Sequence, residues 1–102
     1  MKSIVQDDER ICYLCGRYSP TDVHHIFGGT ANRKKSDEDS MVIKVHRVCH
    51  EWIHTHELSD LNLKAKAQRI WCEHYGKSDE DFIERYGINY VEKLNERLKR
   101  NE

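Results

Sequence analysis

The sequence has no long apolar run and no excess of charge of one sign. Without such a run, no segment is long enough to form a transmembrane helix. The first ten residues are polar and acidic, unlike a secretory signal peptide. Lysine and arginine number 17 and aspartate and glutamate number 18, so the net charge of -1 creates no global basic field for nucleic acid. We therefore expect a cytoplasmic protein with no membrane partner.

Proline and flexible linkers are scarce as well. Pro20 is the only proline, and the chain has no Gly/Ser-rich segment and no internal repeat. At 102 residues the length fits a single domain over residues 1–102. Hydrophobic residues are 37% of the chain and charged residues 34%, so the core must be modest. A bound metal ion would help to stabilise such a small fold.

The four cysteines are more typical of a metal site than of disulfides, because thiols stay reduced in the cytoplasm. Cys12 and Cys15 are followed by Gly16, and a tight turn of this spacing presents both sulfurs to one tetrahedral ion. His46 and Cys49 repeat the two-residue spacing. These four residues predict a structural zinc site whose role is folding, since the protein fills all four positions.

Three other interpretations of the cysteines stay open. The thiols could be free and buried, or Cys12 and Cys15 could form a redox dithiol, although no long apolar strand precedes them. A zinc finger could pair these two cysteines with His50 and His54, but the intervening segment is much longer than in such fingers. Cys72 is expected to be a small buried hydrophobic side chain.

A second group of metal-ligating residues is rich in histidine. His24 and His25 are adjacent in a short apolar stretch, and neighbouring side chains on a strand point to opposite faces. One of them can face a metal while the other faces a different side of a cleft. His50 and His54 are four residues apart, so on a helix they share a face and can bind one ion.

Periodicity and capping residues predict the remaining elements and an α+β fold class. Residues 41–45 alternate and are β-branched, as in a strand, whereas residues 30–40 are expected to form a polar loop. Three helices should follow, over about residues 60–75 with Gly76 as the stop, from Ser78 to near Gly87, and over about residues 90–100. His74 falls on the apolar face of the first of these by spacing, although His56 and His74 are both more typical of solvent-facing side chains.

Taken together, a His-His pair, a loop and strand, and then His-x3-His resemble the HNH endonucleases, the ββα-metal superfamily. The Cys-x2-Cys pair and the second knuckle are similar to the zinc-braced members. This resemblance covers about residues 12–56, the expected zinc-stapled core, with a helical extension over about residues 57–102. Residues 28–29, 32–34, 67–68 and 86–90 are similar to phage and prophage members, including the RecA-dependent nuclease (Ref) group. The position of the family's asparagine holds Met41, with Ser40 beside it.

The resemblance implies a metal-dependent endonuclease, of phage origin, that hydrolyses DNA phosphodiester bonds. His25 matches the general base, and His24, His50 and His54 match the ligands of a catalytic divalent cation, which could be Mg²⁺, Mn²⁺, Ni²⁺ or Zn²⁺. The partner would be DNA, free or bound to another protein. Four basic residues are candidate phosphate contacts: Arg33, Lys34, Lys35 and Arg47.

Two other classes of function remain. One is a non-catalytic zinc module that binds nucleic acid or protein, which Met41 in the asparagine position favours. The other is a redox-sensing zinc protein that depends on the thiols. A structural role needs neither His25 nor a second metal site, so the histidine pattern favours the nuclease.

Overall fold

The computed structural model describes residues 3–18 and 20–100. Within those residues the chain forms a two-stranded sheet and five helices, which confirms the α+β class. The elements in chain order are β1 (Asp22–His25), α1 (Thr30–Glu38), β2 (Val42–Val45), α2 (Arg47–Thr55), α3 (Glu57–Tyr75), α4 (Asp79–Tyr86) and α5 (Tyr90–Arg100).

The two strands pair in an antiparallel register that begins with Asp22 opposite Val45 and ends with His25 opposite Val42. Apolar side chains of β2 enter the core, and Ile43 and Val45 are fully buried. The strand predicted from alternation and β-branching is therefore confirmed. Because α2 begins two residues after β2 ends, the sheet and this helix stay adjacent in space.

Helix α1 replaces the loop predicted for residues 30–40, so that prediction is wrong. The segment has no apolar stripe, and Ser36 is its only buried residue within the helix, which is why hydrophobic periodicity gives no helical signal. Contacts with α4 hold it instead. The Asn32 side-chain amide donates to the carbonyl of Tyr86 at 3.0 Å, and the Lys35 ammonium donates to the carbonyl of Arg85 at 2.7 Å.

Ser36 also connects α1 to both strands. Its hydroxyl accepts from the Phe27 N–H at 3.3 Å and donates to the Met41 carbonyl at 2.6 Å. The Met41 N–H in turn donates to the Ser36 carbonyl at 2.8 Å. Met41 itself is fully buried in the core. Ser36, rather than Ser40 beside Met41, therefore links the segment after β1 to the segment before β2 through its side chain.

The C-terminal helices begin and end largely where capping residues predict. Gly76 has a φ of 62° after α3, and Gly87 has a φ of 86° after α4, a left-handed region that favours glycine. Ser78 and Asp81 form a reciprocal capping box at the start of α4. Helix α3 begins at Glu57, earlier than predicted, and His74 is exposed rather than on the apolar face.

A buried carboxylate ties these helices to the strands. Asp39, just after α1, accepts from the Trp71 indole at 2.8 Å, from two nitrogens of Arg85 at 2.6 and 2.8 Å, and from the Tyr86 hydroxyl at 2.6 Å. Burial raises the pKa of the Tyr86 hydroxyl, and the Asp39 carboxylate raises it further. Four donors from two helices therefore converge on one side chain next to the strands.

None of the helices in the described part of the chain has both the length and the apolar composition needed to span a bilayer.

Candidate functional site

The first site is built on a tight turn. Gly16 has a φ of 75°, and its N–H donates to the carbonyl of Cys12 at 2.8 Å, which closes the turn that carries Cys12 and Cys15. The Tyr13 N–H donates to the carbonyl of Lys44 at 2.8 Å. This bond docks the turn beside β2, so both cysteines lie close to His46, the N-cap residue of α2.

The predicted zinc ligands come together in space. The ligand atoms of Cys12, Cys15, His46 and Cys49 all lie within 4.8 Å of one another. Nδ1 of His46 is 3.1 Å from the Cys15 sulfur, and Cys12 is fully buried. Three sulfurs and one imidazole nitrogen are a donor set that suits a tetrahedral zinc ion. This cluster could therefore hold a metal ion such as zinc.

The thiols of this cluster differ in their electrostatics. Burial acts to raise the pKa of the Cys12 thiol, but hydrogen bonds from the backbone N–H groups of Cys15, His46 and Leu14 and from the Cys15 side chain together lower that pKa to about 7. Burial, followed by the neighbouring sulfurs of Cys12 and Cys15, raises the pKa of the Cys49 thiol to about 11. A bound metal ion would lower the pKa of these thiols and compensate for the charge of the thiolates that coordinate it.

The second site lies where β1 faces α2. His24 on β1 and His50 and His54 on α2 bring their ligand nitrogens within 4.8 Å of one another. The ring centroids of His24 and His50 are 5.0 Å apart, and those of His50 and His54 are 4.7 Å apart. The α2 histidines thus group with His24 and not with the cysteines, which argues against the zinc finger considered above.

The burial of His24 fits a metal ligand. Burial, followed by the neighbouring His50 and His54, lowers the pKa of His24 to about 4, so its ring is neutral at pH 7. Its Nε2 atom is buried and finds no hydrogen-bond partner among the described residues. A buried polar atom without a partner is costly, and coordination of a cation would satisfy it. Three neutral imidazoles suit Zn²⁺, Ni²⁺, Co²⁺ or Mn²⁺ better than Mg²⁺.

The His25 side chain extends toward α1, beside a small cleft that it lines together with His24, His50 and His54. Its Nε2 lies 3.3 Å from a carboxylate oxygen of Asp37. Both side chains line a cleft of about 480 Å³ together with Thr30, Arg33 and Lys34. Adjacent residues of one strand therefore face different surroundings, as the alternation of a strand predicts.

The four basic candidates lie in three different places. Arg33 and Lys34 line the cleft beside His25. Lys35 is turned toward α4, where it bonds the Arg85 carbonyl, and it lines a separate cavity near Asp39. Arg47 is mostly exposed at the start of α2, and its Nε lies 3.3 Å from a carboxylate oxygen of Asp22.

The structure adds residues to the site that sequence reasoning missed. Asp37 contacts His25, and a carboxylate oxygen of Asp22 lies 3.6 Å from Nδ1 of His50. Carboxylates beside metal-ligating histidines often orient the ring. The local sequence carries little signal for either residue, because Asp37 lies twelve residues from its partner and Asp22 lies on another element from His50.

The remaining histidines and the fourth cysteine lie outside both clusters. His56 is exposed and stacks on Trp52 with centroids 4.0 Å apart, and His74 is exposed as well, so both face solvent as expected from composition. Cys72 is only partly buried, and its sulfur lies 3.6 Å from a carboxylate oxygen of Asp79. None of these three residues belongs to a potential metal cluster of the described residues.

Comparisons of the chain with protein-family models, curated proteins and solved structures find no match.

Proposed function

We propose that this protein is an HNH-type, metal-dependent endonuclease that hydrolyses phosphodiester bonds in DNA. One observation carries the proposal. A single small cleft of about 260 Å³ is lined by all four candidate histidines and by Arg33: the ligands His24, His50 and His54 and the base His25. A phosphodiester in this cleft would contact a metal site, a proton acceptor and a cation at once.

The order of the elements supports the same proposal. The ββα-metal arrangement needs two antiparallel strands followed by a helix, with one ligand on the first strand and two on the helix. Here β1 and β2 are antiparallel and α2 follows directly, with His24 on β1 and His50 and His54 on α2. Helix α1 is inserted between the strands, and Ser36 keeps the strand ends together.

In the proposed mechanism, His25 accepts a proton from the attacking water. The water oxygen bonds to phosphorus, the bond from phosphorus to the 3′-oxygen breaks, and that oxygen takes a proton from solvent. The products carry 5′-phosphate and 3′-hydroxyl ends. Arg33, which lines the same small cleft, holds the phosphate, and Lys34 in the adjoining cleft adds positive charge. A divalent ion on His24, His50 and His54, when bound, supplies Lewis-acid stabilisation of the charge that develops on the phosphate and the leaving oxygen.

Plasmid cleavage tests the proposal. Supercoiled DNA is incubated with the purified protein and Mg²⁺, Mn²⁺ or Ni²⁺, with and without a chelator. We expect cleavage that the chelator abolishes. His25→Ala should remove cleavage but keep metal binding by the histidine cluster, whereas His50→Ala and His54→Ala should lose both.

His56→Ala is the matched control, because His56 lies two residues beyond His54 but stacks on Trp52 outside the cluster. This variant should cleave and bind metal like the wild type. Wild-type protein that cleaves with none of these ions, or a His25→Ala variant that cleaves normally, would contradict the proposal.

A non-catalytic zinc module is the second candidate, and one observation favours it. Val48 and Trp52 are exposed on the outer face of α2, beside the cysteine cluster, and Leu14 is exposed next to them. Exposed apolar side chains that cluster are typical of a surface that binds a partner. If the wild type binds DNA or protein but never cleaves, this candidate gives the better account.

A further inference from the structure

The contact between His25 and Asp37 joins two elements that are distant in sequence. His25 is at the end of β1, and Asp37 is in the last turn of α1. Nε2 of the ring lies 3.3 Å from Oδ1 of the carboxylate. The His25 side chain is only 17% exposed, whereas that of Asp37 is 49% exposed. The ring is therefore held by the fold, and the carboxylate reaches it from the rim of the cleft.

The chemistry of this pair determines which ring nitrogen carries the proton. An ionised carboxylate can only accept hydrogen bonds. Nε2 of a neutral His25 must therefore be the donor, which leaves the lone pair on Nδ1. A proton acceptor for water needs this free lone pair and a fixed ring orientation. The hydrogen bond from Nε2 to Asp37 leaves this lone pair free and fixes the orientation of the ring.

The charge of the cleft supports a specific role for Asp37. Asp37 contacts His25, which lines the small cleft proposed for the phosphodiester. A carboxylate at this place acts against substrate binding, because like charges repel. Arg33 and Lys34 line the 480 Å³ cleft together with Asp37 and offset that charge. The side chain within hydrogen-bond distance of the Asp37 carboxylate is His25, the group that needs orientation.

We propose that Asp37 is a positioning residue that fixes the tautomer and the orientation of the His25 ring. The proposal rests on the proposed nuclease function, because it assigns His25 the role of the base. The role of Asp37 differs from that of the metal ligands, since Asp37 is outside both candidate clusters.

Asp37→Asn is the decisive variant, because it keeps the size of the side chain but replaces the obligate acceptor with an amide that can also donate. With metal saturating, we expect kcat to fall about 10- to 100-fold while KM changes little. Metal content should stay at the wild-type level. Asp37→Glu should recover part of the lost kcat, because it restores a carboxylate.

A second measurement does not depend on cleavage. Proteins labelled with ¹⁵N-histidine are compared by NMR at about pH 8, above the ordinary histidine pKa of about 6.5. The wild-type ring of His25 should carry its proton on Nε2, and Asp37→Asn should increase the population protonated on Nδ1. His25→Ala identifies the signals by their loss.

Glu38→Gln is the matched control. It removes the same charge from the adjacent position of α1, where the carboxylate lies near Arg85 at 3.7 Å and outside the cleft. This variant should leave kcat and the His25 tautomer unchanged. Circular dichroism and the melting temperature verify that each variant is folded.

The outcomes separate this proposal from the function on which it rests. If the wild type cleaves and His25→Ala does not, an Asp37→Asn variant with wild-type kcat overturns the role of Asp37 and leaves the nuclease proposal standing. A lower kcat with an unchanged tautomer also overturns it, because Asp37 would then act in another way. If the wild type never cleaves, the nuclease proposal fails, and the tautomer populations still decide whether Asp37 positions the ring.

Discussion

His24 and His25 have the same side chain, yet β1 gives them different surroundings. His24 is buried against two histidines of α2, and its pKa is lowered to about 4. His25 faces the cleft and contacts Asp37. A strand separates adjacent side chains onto opposite faces, so this short element places the candidate metal ligand and the proposed base in different surroundings.

Basic residues of α1 should contribute to DNA affinity. Arg33 and Lys34 line the cleft beside His25, and each phosphate contact releases counterions from DNA. Replacing both by Ala should weaken binding and make the slope of log affinity against log salt less steep by about 1 to 2. Fluorescence anisotropy with a duplex at several salt concentrations measures this slope.

The control removes two lysines elsewhere, Lys93 and Lys99, which are exposed on α5. The double Ala variant has the same change in net charge and should keep the wild-type slope. Equal slopes for the Arg33/Lys34 variant and the wild type would instead show that these two side chains are solvated and do not contact DNA.

Among the elements, α1 is held by contacts rather than by its own sequence. It contributes one buried residue, Ser36, whose hydroxyl links Phe27 after β1 to Met41 before β2. The same helix places Arg33, Lys34 and Asp37 in the cleft of about 480 Å³ beside His25. The position of the cleft residues therefore depends on how firmly Ser36 fixes the helix to the strands.

Ser36→Ala should destabilise the protein by about 1 to 3 kcal/mol, because the Phe27 N–H loses its side-chain acceptor and the Met41 carbonyl loses one of two donors, the other being the Ile26 N–H. Denaturant unfolding with metal retained measures the change in the free energy of unfolding. Ser40→Ala is the control. Within the described part of the chain, Ser40 forms its hydrogen bonds through its backbone, so the substitution should change stability little. Equal effects at both positions would contradict the bracing role of Ser36.

At the scale of the whole molecule, one hydrophobic core joins the parts that carry the two sites. It includes Cys12 from the cysteine turn, Ile43 from β2, Ile53 from α2 and Phe82 from α4. Because Cys12 is both a core residue and a candidate ligand, loss of the metal should disturb the core as well as the turn.

Cys49→Ser tests this coupling. The variant should purify with one zinc ion fewer per chain than the wild type, and its melting temperature should fall by roughly 10 °C or more, since metal binding adds to the free energy of folding. Metal analysis and a thermal melt provide the two readouts.

Cys72→Ser is the matched control, because Cys72 is outside the cluster. It should keep the wild-type zinc content. Full zinc content and an unchanged melting temperature in Cys49→Ser would exclude Cys49 as a ligand.

The sequence alone determined the features that depend on local geometry. Two-residue spacing and Gly16 predict one turn for Cys12 and Cys15, and four-residue spacing predicts a shared helix face for His50 and His54. The strand over Val42–Val45 and the caps at Ser78 and Gly87 follow in the same way, because strand periodicity and capping are set by neighbouring residues.

Only the tertiary structure decided the features that depend on residues far apart in the chain. The helical state of α1, the bracing by Ser36 and the contact of Asp37 with His25 all arise where the fold brings α1 against the strands and α4. Lys35 shows the same principle, since it is adjacent to Lys34 in sequence but bonds the Arg85 carbonyl instead of lining the cleft. The physical reason is that helical periodicity sends neighbouring side chains in different directions, and only packing determines what each one meets.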